Sequence, residues 1–506
     1  MATTNIPMST ASRKTNWRRV TLSAATLAGF ALLSFVVLGV ANPFNSALKV
    51  ILVLLLPLVA VFIVPSAARA LARGAADVVR NFKWYHGVWL LVLVSGLVFR
   101  ERLLQDINAE PIDGWALFRI SVAGLVGMIM ITRLVFRKTP WLRPLLQGLI
   151  GIMAVFALVS LVSTLWSVRP PWTLYKSLEF LVDLSVVAGI VATVKSTEEF
   201  EKYVNWSWIL LGVLLLTVWI GAVVDPEDAL HAGFLMGPLG MRLVGVIPDL
   251  SANSVGEFSA ILAIVALSRL LYDPERQHNP AWYRLLFAFA MITMIFAQTR
   301  AAIVGFIFSA FLLLIFTRRY LLGITFGIAS AFAGVFLLAF TNSGAFIRDY
   351  AMRGNSVSEV EGLSGRLEFW QQAYKHFLDR PLIGFGGFAG GRFLVLPDLG
   401  RYATPDLHSS LVESLVDIGI WGPILLIAAL AGIWWVLFKA FRSPLLAPSE
   451  NRLVVEVLAV IGVITIRSLE GGGLISHPAL AFLTVLGFAE FMRRRLKYGG
   501  TLPPNG

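Results

Sequence analysis

The chain has 506 residues, of which 57% are hydrophobic and only 14% charged, and its mean hydropathy is +0.77. Soluble globular chains hold about 45–50% apolar and about 25% charged residues, so a soluble multidomain enzyme and a disordered protein are excluded. Apolar runs without alternation exclude a membrane β-barrel. The lack of cysteine excludes disulfides, thiolate metal sites and cysteine nucleophiles. A net charge of +12 in such a chain points to positive cytoplasmic loops rather than to nucleic acid.

Spanning helices need about 20 apolar residues. In chain order they are expected near 20–40, 47–65, 86–99, 115–136, 145–166, 174–194, 206–224, 254–271, 283–298, 301–316, 321–340, 415–438, 453–468 and 475–491. The fold class is therefore all-α: a polytopic integral membrane helical bundle of about 12–14 spans, with one long external loop, 341–414, that contains short helices. The first run follows Arg13, Lys14, Arg18 and Arg19. It is longer than a signal-peptide core of about 7–15 residues and reads as an uncleaved signal-anchor, although Gly39-Val40-Ala41 resembles a cleavage site. With both termini cytoplasmic, the cytoplasmic segments carry 23 of the 42 Lys and Arg and the short external loops carry five. That is the bias the positive-inside rule requires. Trp84, Trp141, Trp172 and Trp282 lie near span ends, as an aromatic belt does. Arg493, Arg494, Arg495 and Lys497 read as a basic anchor on anionic lipid.

Three external features carry candidate chemistry. The 225–253 loop holds Arg242 as its only Lys or Arg, followed by Asn253; a solvated interfacial arginine is the plain alternative. Gln298-Thr299-Arg300-Ala301-Ala302 joins two apolar runs with almost no loop, so Arg300 either snorkels or stands against the packed helices, where charges are often functional. In the long loop, Ser364-Gly365-Arg366 opens a helix with Ser364 as N-cap. Leu367, Trp370, Tyr374 and Phe377 form a stripe along it for the membrane surface or the bundle, and Pro381 stops it. Arg366 falls in the first turn, where the helix dipole disfavours a cation unless an anion is near. Gly384 to Gly391 reads as a tight, mobile turn, without the strand, helix and Lys of a phosphate loop.

Thr404 then looks like an N-cap and Pro405 like the first helical residue, which puts His408 in the first turn or just after it, followed by Ser409 in the chain. A histidine at a positive helix end tends to be neutral, and a neutral imidazole can accept a proton as a general base must. Arginines bind phosphate oxygens through charge-assisted, bidentate hydrogen bonds. Arginines beside a neutral base describe a site for a diphosphate leaving group and a hydroxyl nucleophile. Asp349, Glu359 and Glu361 are scattered and no His-x-x-x-His occurs, so a metal site has little support. Lys176, Glu179 and Asp183 share one face of the 174–194 span, and Arg119 lies in another span. They read as a structural ion cluster, or else as a transport path.

Several motifs, in this order, resemble those of the O-antigen ligase and O-antigen polymerase superfamily of bacterial envelope glycosyltransferases. Ser163-Thr164-Leu165-Trp166-Ser167 with Pro170 resembles the family's Trp-Ser-x-x-Pro, and Arg242-Leu243-Val244-Gly245 with Asn253 its Arg-Leu-x-Gly and Asn. Thr299-Arg300 resembles its Ser/Thr-Arg, and Ser364-Gly365-Arg366 with Trp370 and Pro381 to Gly386 its Ser-Gly-Arg, Trp and Pro-x-x-Gly-x-Gly. His408 to Gly422 resembles its closing pattern, except that Ser409 stands where the family usually has Asn, and Ala301 where it often has Gly.

The resemblance covers roughly 160–425 and divides the chain into N-terminal spans (1–160), a catalytic core with the periplasmic loop (161–425), and C-terminal spans with a basic tail (426–506). It implies an inner-membrane, inverting transfer of a saccharide from undecaprenyl diphosphate on the periplasmic side, with no cofactor and no metal. His408 would be the base, and Arg242 and Arg300 would hold the diphosphate. Arg366, Asn253 and Ser409 would help to bind substrate. Partners would be the lipid-linked glycan, an acceptor glycan (repeat unit or lipid A core) and membrane lipids, with room for a chain-length regulator and none for nucleic acid. The extra N-terminal spans favour an exopolysaccharide or O-antigen polymerase slightly over a ligase. The alternative from another class is a flippase or transporter of lipid-linked glycans, which would depend on Lys176, Glu179 and Asp183.

Overall fold

Apolar runs, bounded by proline, glycine or a capping side chain, set the helices. The computed structural model describes residues 82–97, 104–110, 112–136, 140–231, 241–272, 280–321, 366–401, 406–471, 473–475 and 479–498, with positions 80, 323 and 325. The spans expected at 20–40 and 47–65, and nearly all of 321–340, lie outside them. The other eleven expected spans all coincide with helices. These are α1 (Trp84–Leu97), α3 (Gly114–Phe136), α5 (Gly148–Val162, extended by a 3-10 turn to Trp166), α6 (Pro170–Thr193), α7 (Thr197–Val224), α9 (Ala252–Tyr272), α10 (Pro280–Ala297), α11 (Arg300–Phe316), α15 (Trp421–Phe441), α16 (Pro448–Glu470) and α17 (Leu480–Lys497). Shorter helices are α2 (Leu104–Ala109), α4 (Leu142–Leu145), α8 (Pro226–Ala229), α12 (Arg366–Asp379), α13 (Leu396–Asp398) and α14 (Ser410–Ile418).

The local causes are visible at the helix starts. Pro170 and Pro448 occupy first turns, where the missing N–H is not needed. Ser196 caps α7 by accepting from the Glu199 N–H at 3.1 Å, and Glu198 and Glu199 lie on the positive end. Among the described residues, five helices are long and apolar enough to cross a membrane: α3, α5 with its 3-10 turn, α7, α9 and α15. The protein is an all-α polytopic membrane protein.

Helix α9 lies at the centre, packed on α10, α11, α16 and α7. Helix α17 is buried from Leu480 to Met492 and touches α5, α6, α7, α15 and α16. Outward faces are apolar, as at Met128 and Ile131 on α3, Val213 and Leu216 on α7, Ile307 and Phe311 on α11, and Ile424 and Ile427 on α15. Exposed apolar surface of that extent needs hydrocarbon rather than water.

Buried charges are paired inside the bundle. Glu179 accepts from Arg119 Nε at 2.6 Å and Nη2 at 2.9 Å, from Lys176 Nζ at 2.9 Å and from the Tyr175 hydroxyl at 2.7 Å. A second cluster joins Arg269 of α9, Glu456 of α16 and Asn205 of α7, with the Trp208 indole donating to Glu456 at 2.9 Å. At the basic C-terminal end, Arg493 and Arg494 bind Glu490, and Arg495 binds Glu450 and Thr197. These three expected lipid anchors are therefore tied to the protein's own groups.

Several boundaries differ from expectation: α7 begins at Thr197 rather than 206, and α16 at Pro448 rather than 453. The run 415–438 is two helices, α14 and α15, broken at Gly419 with φ +67°. A Cβ there would stand 2.5 Å from the Pro381 carbonyl oxygen, so the break lets the long loop approach. The last span begins at Leu480 rather than 475, because residues 473–475 form a turn.

Candidate functional site

The long loop is fastened to the bundle by the motif residues. Gly387 N–H donates to Ser163 Oγ at 2.8 Å, Val168 N–H to the Phe385 carbonyl at 2.8 Å, and the Trp166 indole to the Ile383 carbonyl at 3.1 Å. Gly386 (φ +113°) lies so close to Ser167 that a Cβ would meet its Oγ at 2.1 Å. On the other side Asp417 of α14 accepts from Phe388 N–H at 2.9 Å and Gly390 N–H at 2.8 Å. The Gly384–Gly391 turn is thus tight, as expected, but it is clamped between α5 and α14 rather than hinged in the open.

Around this clamp, four arginines and one histidine come together. Arg242 lies on β2 (Arg242–Leu243), which pairs antiparallel with β1 (Leu230–His231); a second small hairpin, β3 (Gly245–Val246) with β4 (Asp249–Leu250), follows. The sequence pattern gave no sign of either hairpin. Arg242 Nε donates to the Ala297 carbonyl at 3.2 Å and Nη2 to Asn253 Oδ1 at 3.3 Å. Gln298 (φ +51°) donates to the Met241 carbonyl at 2.5 Å and Thr299 Oγ1 to the Ala252 carbonyl at 2.8 Å. The β2 segment, the start of α9 and the α10–α11 turn are thereby one unit, and Arg300 opens α11 from it. Burial, then the charges of Arg300 and Arg366, push the Arg242 guanidinium below its ordinary value. The three expected arginines therefore share one region.

Arg366 opens α12, as expected, and Nη1 meets the Glu470 carboxylate at 3.1 Å. This is the anion that offsets the unfavourable dipole at that position. Burial lowers Arg366, Glu470 pulls the other way, and Arg467 and Arg300 add to the lowering. The expected apolar stripe on α12 is displaced: Phe369 and Ala373 are buried, whereas Leu367 and Tyr374 are exposed. The reason is that Trp370, half-buried beside them, donates its indole N–H inward to the Leu407 carbonyl at 3.0 Å.

His408 does not lie in a first helical turn. Thr404 and Pro405 lie outside the described residues, and α14 begins at Ser410 with Ser409 as its N-cap, accepting from Val412 N–H at 3.4 Å. His408 precedes the cap with φ +55°, a left-handed conformation that histidine tolerates better than most residues but at a cost. It is held there by Asp406, whose Oδ1 accepts from the His408 backbone N–H at 2.8 Å and lies 2.9 Å from Nδ1. Burial works against the charged form of Asp406, yet the hydrogen bonds from His408 hold the carboxyl below its ordinary range. A carboxylate on Nδ1 fixes the proton there and leaves Nε2 as the acceptor. Ser410 N–H donates to the Gly471 carbonyl at 3.1 Å, and Ser410 Oγ to the same carbonyl at 3.2 Å.

The sequence reading missed Asp406 as the partner of His408, and the whole end of α16: Arg467, Glu470 and Gly471. The available signals were the spacing Asp-x-His and two opposite charges just before Gly471-Gly472-Gly473. Asn253 and Ser409 take positions that orient other groups: Asn253 against Arg242, Ser409 as a helix cap.

The positive starts of α11 and α12, four guanidinia and a carboxylate-held imidazole share one region of this polytopic membrane protein, and their chemistry suits an anion. Residues 285–427 match the family model described as O-Antigen ligase, a match that supports membership of the O-antigen ligase superfamily. The matched stretch contains Arg300, Arg366 and His408 but not Arg242 or Arg467. The match supports a glycosyltransferase-type enzyme at the level of the family only. No curated protein matches the chain.

Proposed function

We propose that the chain is a glycan polymerase that transfers a saccharide from undecaprenyl diphosphate to a sugar hydroxyl on the periplasmic face of the inner membrane. The observation that carries the reading is the His408–Asp406 pair, 2.9 Å apart, beside the convergent arginines. In this mechanism the acceptor hydroxyl oxygen attacks the anomeric carbon from the face opposite the diphosphate. The C1–oxygen bond to the lipid diphosphate breaks with inversion, and the hydroxyl proton passes to His408 Nε2. Arg242, Arg300 and Arg366 neutralise the charge gathering on the departing diphosphate. Asp406 keeps the imidazole in the accepting tautomer and stabilises the imidazolium that forms. Asn253 and Ser409 act by holding Arg242 and the His408 turn. Metal independence and the polymerase assignment over a ligase come from the family resemblance and the additional N-terminal spans. A chain-length regulator is the natural partner under this reading.

The test is a strain carrying His408→Ala as its only copy, from which undecaprenyl-diphosphate-linked glycan is extracted and sized. Accumulated single repeat units are expected. Full-length lipid-linked polymer that never reaches its final acceptor would replace polymerase by ligase. An unchanged glycan profile with normal product would remove His408 from the reaction.

A further inference from the structure

The end of α16 carries a cation that the mechanism above does not use. Arg467 is 3% exposed, and among the described residues its side chain makes one hydrogen bond, from Nε to Glu257 Oε2 of α9 at 3.3 Å. Its Nη1 is buried with no hydrogen-bond partner among the described residues. A buried guanidinium N–H without a partner is costly, and one left so against closely packed glycines points to an absent acceptor. The glycines are specific to this pair: a Cβ on Gly471 would stand 2.7 Å from Arg467 Nη2, and one on Gly473 would stand 2.9 Å from Glu257 Oε1.

The direction in which Arg467 faces follows from its neighbours. Residues three apart share a helix face, and Glu470, three residues on, holds Arg366 at 3.1 Å. Gly471 holds Ser410, two residues from His408, at 3.1 Å. The Arg467 charge also bears on both Arg366 and Asp406. Arg467 therefore sits between the loop helix that carries Arg366 and the turn that carries His408. A plain structural role, as the basic residue in the last turn of α16 paired with Glu257, accounts for Nε but leaves Nη1 without an acceptor.

We propose that Arg467 is a fourth phosphate ligand of this site, with Nη1 donating to a phosphate oxygen of a prenyl diphosphate and Glu257 acting as the positioning residue that aims the guanidinium. The proposal rests on the diphosphate reading of Arg242 and Arg300.

The test uses the purified full chain in detergent and farnesyl diphosphate as the probe, with affinity measured by titration and folding checked by elution profile and melting. Arg467→Gln is expected to bind about tenfold or more weakly, the size of one charge-assisted hydrogen bond, and Arg467→Lys to fall between. Because Arg467→Gln strands Glu257 and so risks misfolding, the double variant Arg467→Met/Glu257→Leu removes the pair without leaving a charge; it is expected to fold and to bind as weakly as Arg467→Gln. A folded double variant that binds farnesyl diphosphate as the unmodified protein does, while Arg242→Gln binds weakly, would overturn the role of Arg467 and leave the diphosphate reading standing. Failure of the unmodified protein to bind, or no loss in Arg242→Gln, would overturn both.

Discussion

Glu179 is the residue on which a transporter and a transferase part company. It is 2% exposed and accepts four hydrogen bonds, two from Arg119 and one each from Lys176 and Tyr175. Glu179→Gln keeps the shape but turns one acceptor into an N–H2 that faces donors, and it removes the carboxylate that Arg119 and Lys176 share, leaving Asp183 as a remaining counter-charge to Arg119. Breaking a buried ion pair by neutralising one partner costs about 3–5 kcal/mol. Unfolding entropy near 60 °C is about 2.1 cal/mol/K per residue, which over the chain corresponds to a fall in melting temperature of roughly 3–5 °C. Melting of the detergent-purified variant, followed by tryptophan fluorescence, reads this directly. The quadruple variant Arg119→Met/Lys176→Met/Glu179→Leu/Asp183→Asn removes the charges together and is expected to recover most of the loss, and to make product. A Glu179→Gln protein that melts with the unmodified protein yet makes no product would refute the structural reading and put these charges on a transport path.

Other substitutions test the site and its supports. His408→Ala should slow transfer by about 10²–10⁴-fold, the usual share of a general base, and Asp406→Asn should lose less while leaving donor binding intact; a larger loss from Asp406→Asn than from His408→Ala would contradict the assigned roles. Ser409→Ala should cost about 1 kcal/mol in melting experiments through the lost cap, whereas Ser409→Asn, an equally good cap, should keep both stability and turnover. Gly386→Ala forces a Cβ against Ser167 and should destabilise by about 1–3 kcal/mol or more. Ser167→Ala should not rescue it, because the Ser167 Cβ and Cα would still stand 2.4 and 2.7 Å from the new methyl; rescue, seen as a recovered melting temperature, would show that the hydroxyl alone was the obstacle.

The equivalence of Ser and Asn at a helix N-cap also gives a physical account of the one departure beside His408. Where the family usually has Asn, this chain has Ser409, and the position asks only for a short side chain that accepts from the first turn of α14.

Sequence by itself determined the helical class and the position of the spans, because hydropathy over about 20 residues is a local property that the bilayer reads directly. It also marked Arg242, Arg300, Arg366 and His408, since an arginine beside apolar runs and a histidine in a polar turn stand out without knowledge of their neighbours. What it could not supply was distance. His408 gains its orientation from Asp406 through a left-handed turn, where the capping signals of Thr404 and Pro405 place the first turn of a helix. Arg467 looks like the last charge of a span until α16 meets α9 and the loop, 210 and 101 residues away in the chain from Glu257 and Arg366. The glycines of the long loop read as a tight, mobile turn, and only packing shows that Ser167 and Asp417 stand too close to Gly386 and Gly384 for any side chain. The last two depend on pairs far apart in the chain, and such pairs are fixed by the tertiary fold alone.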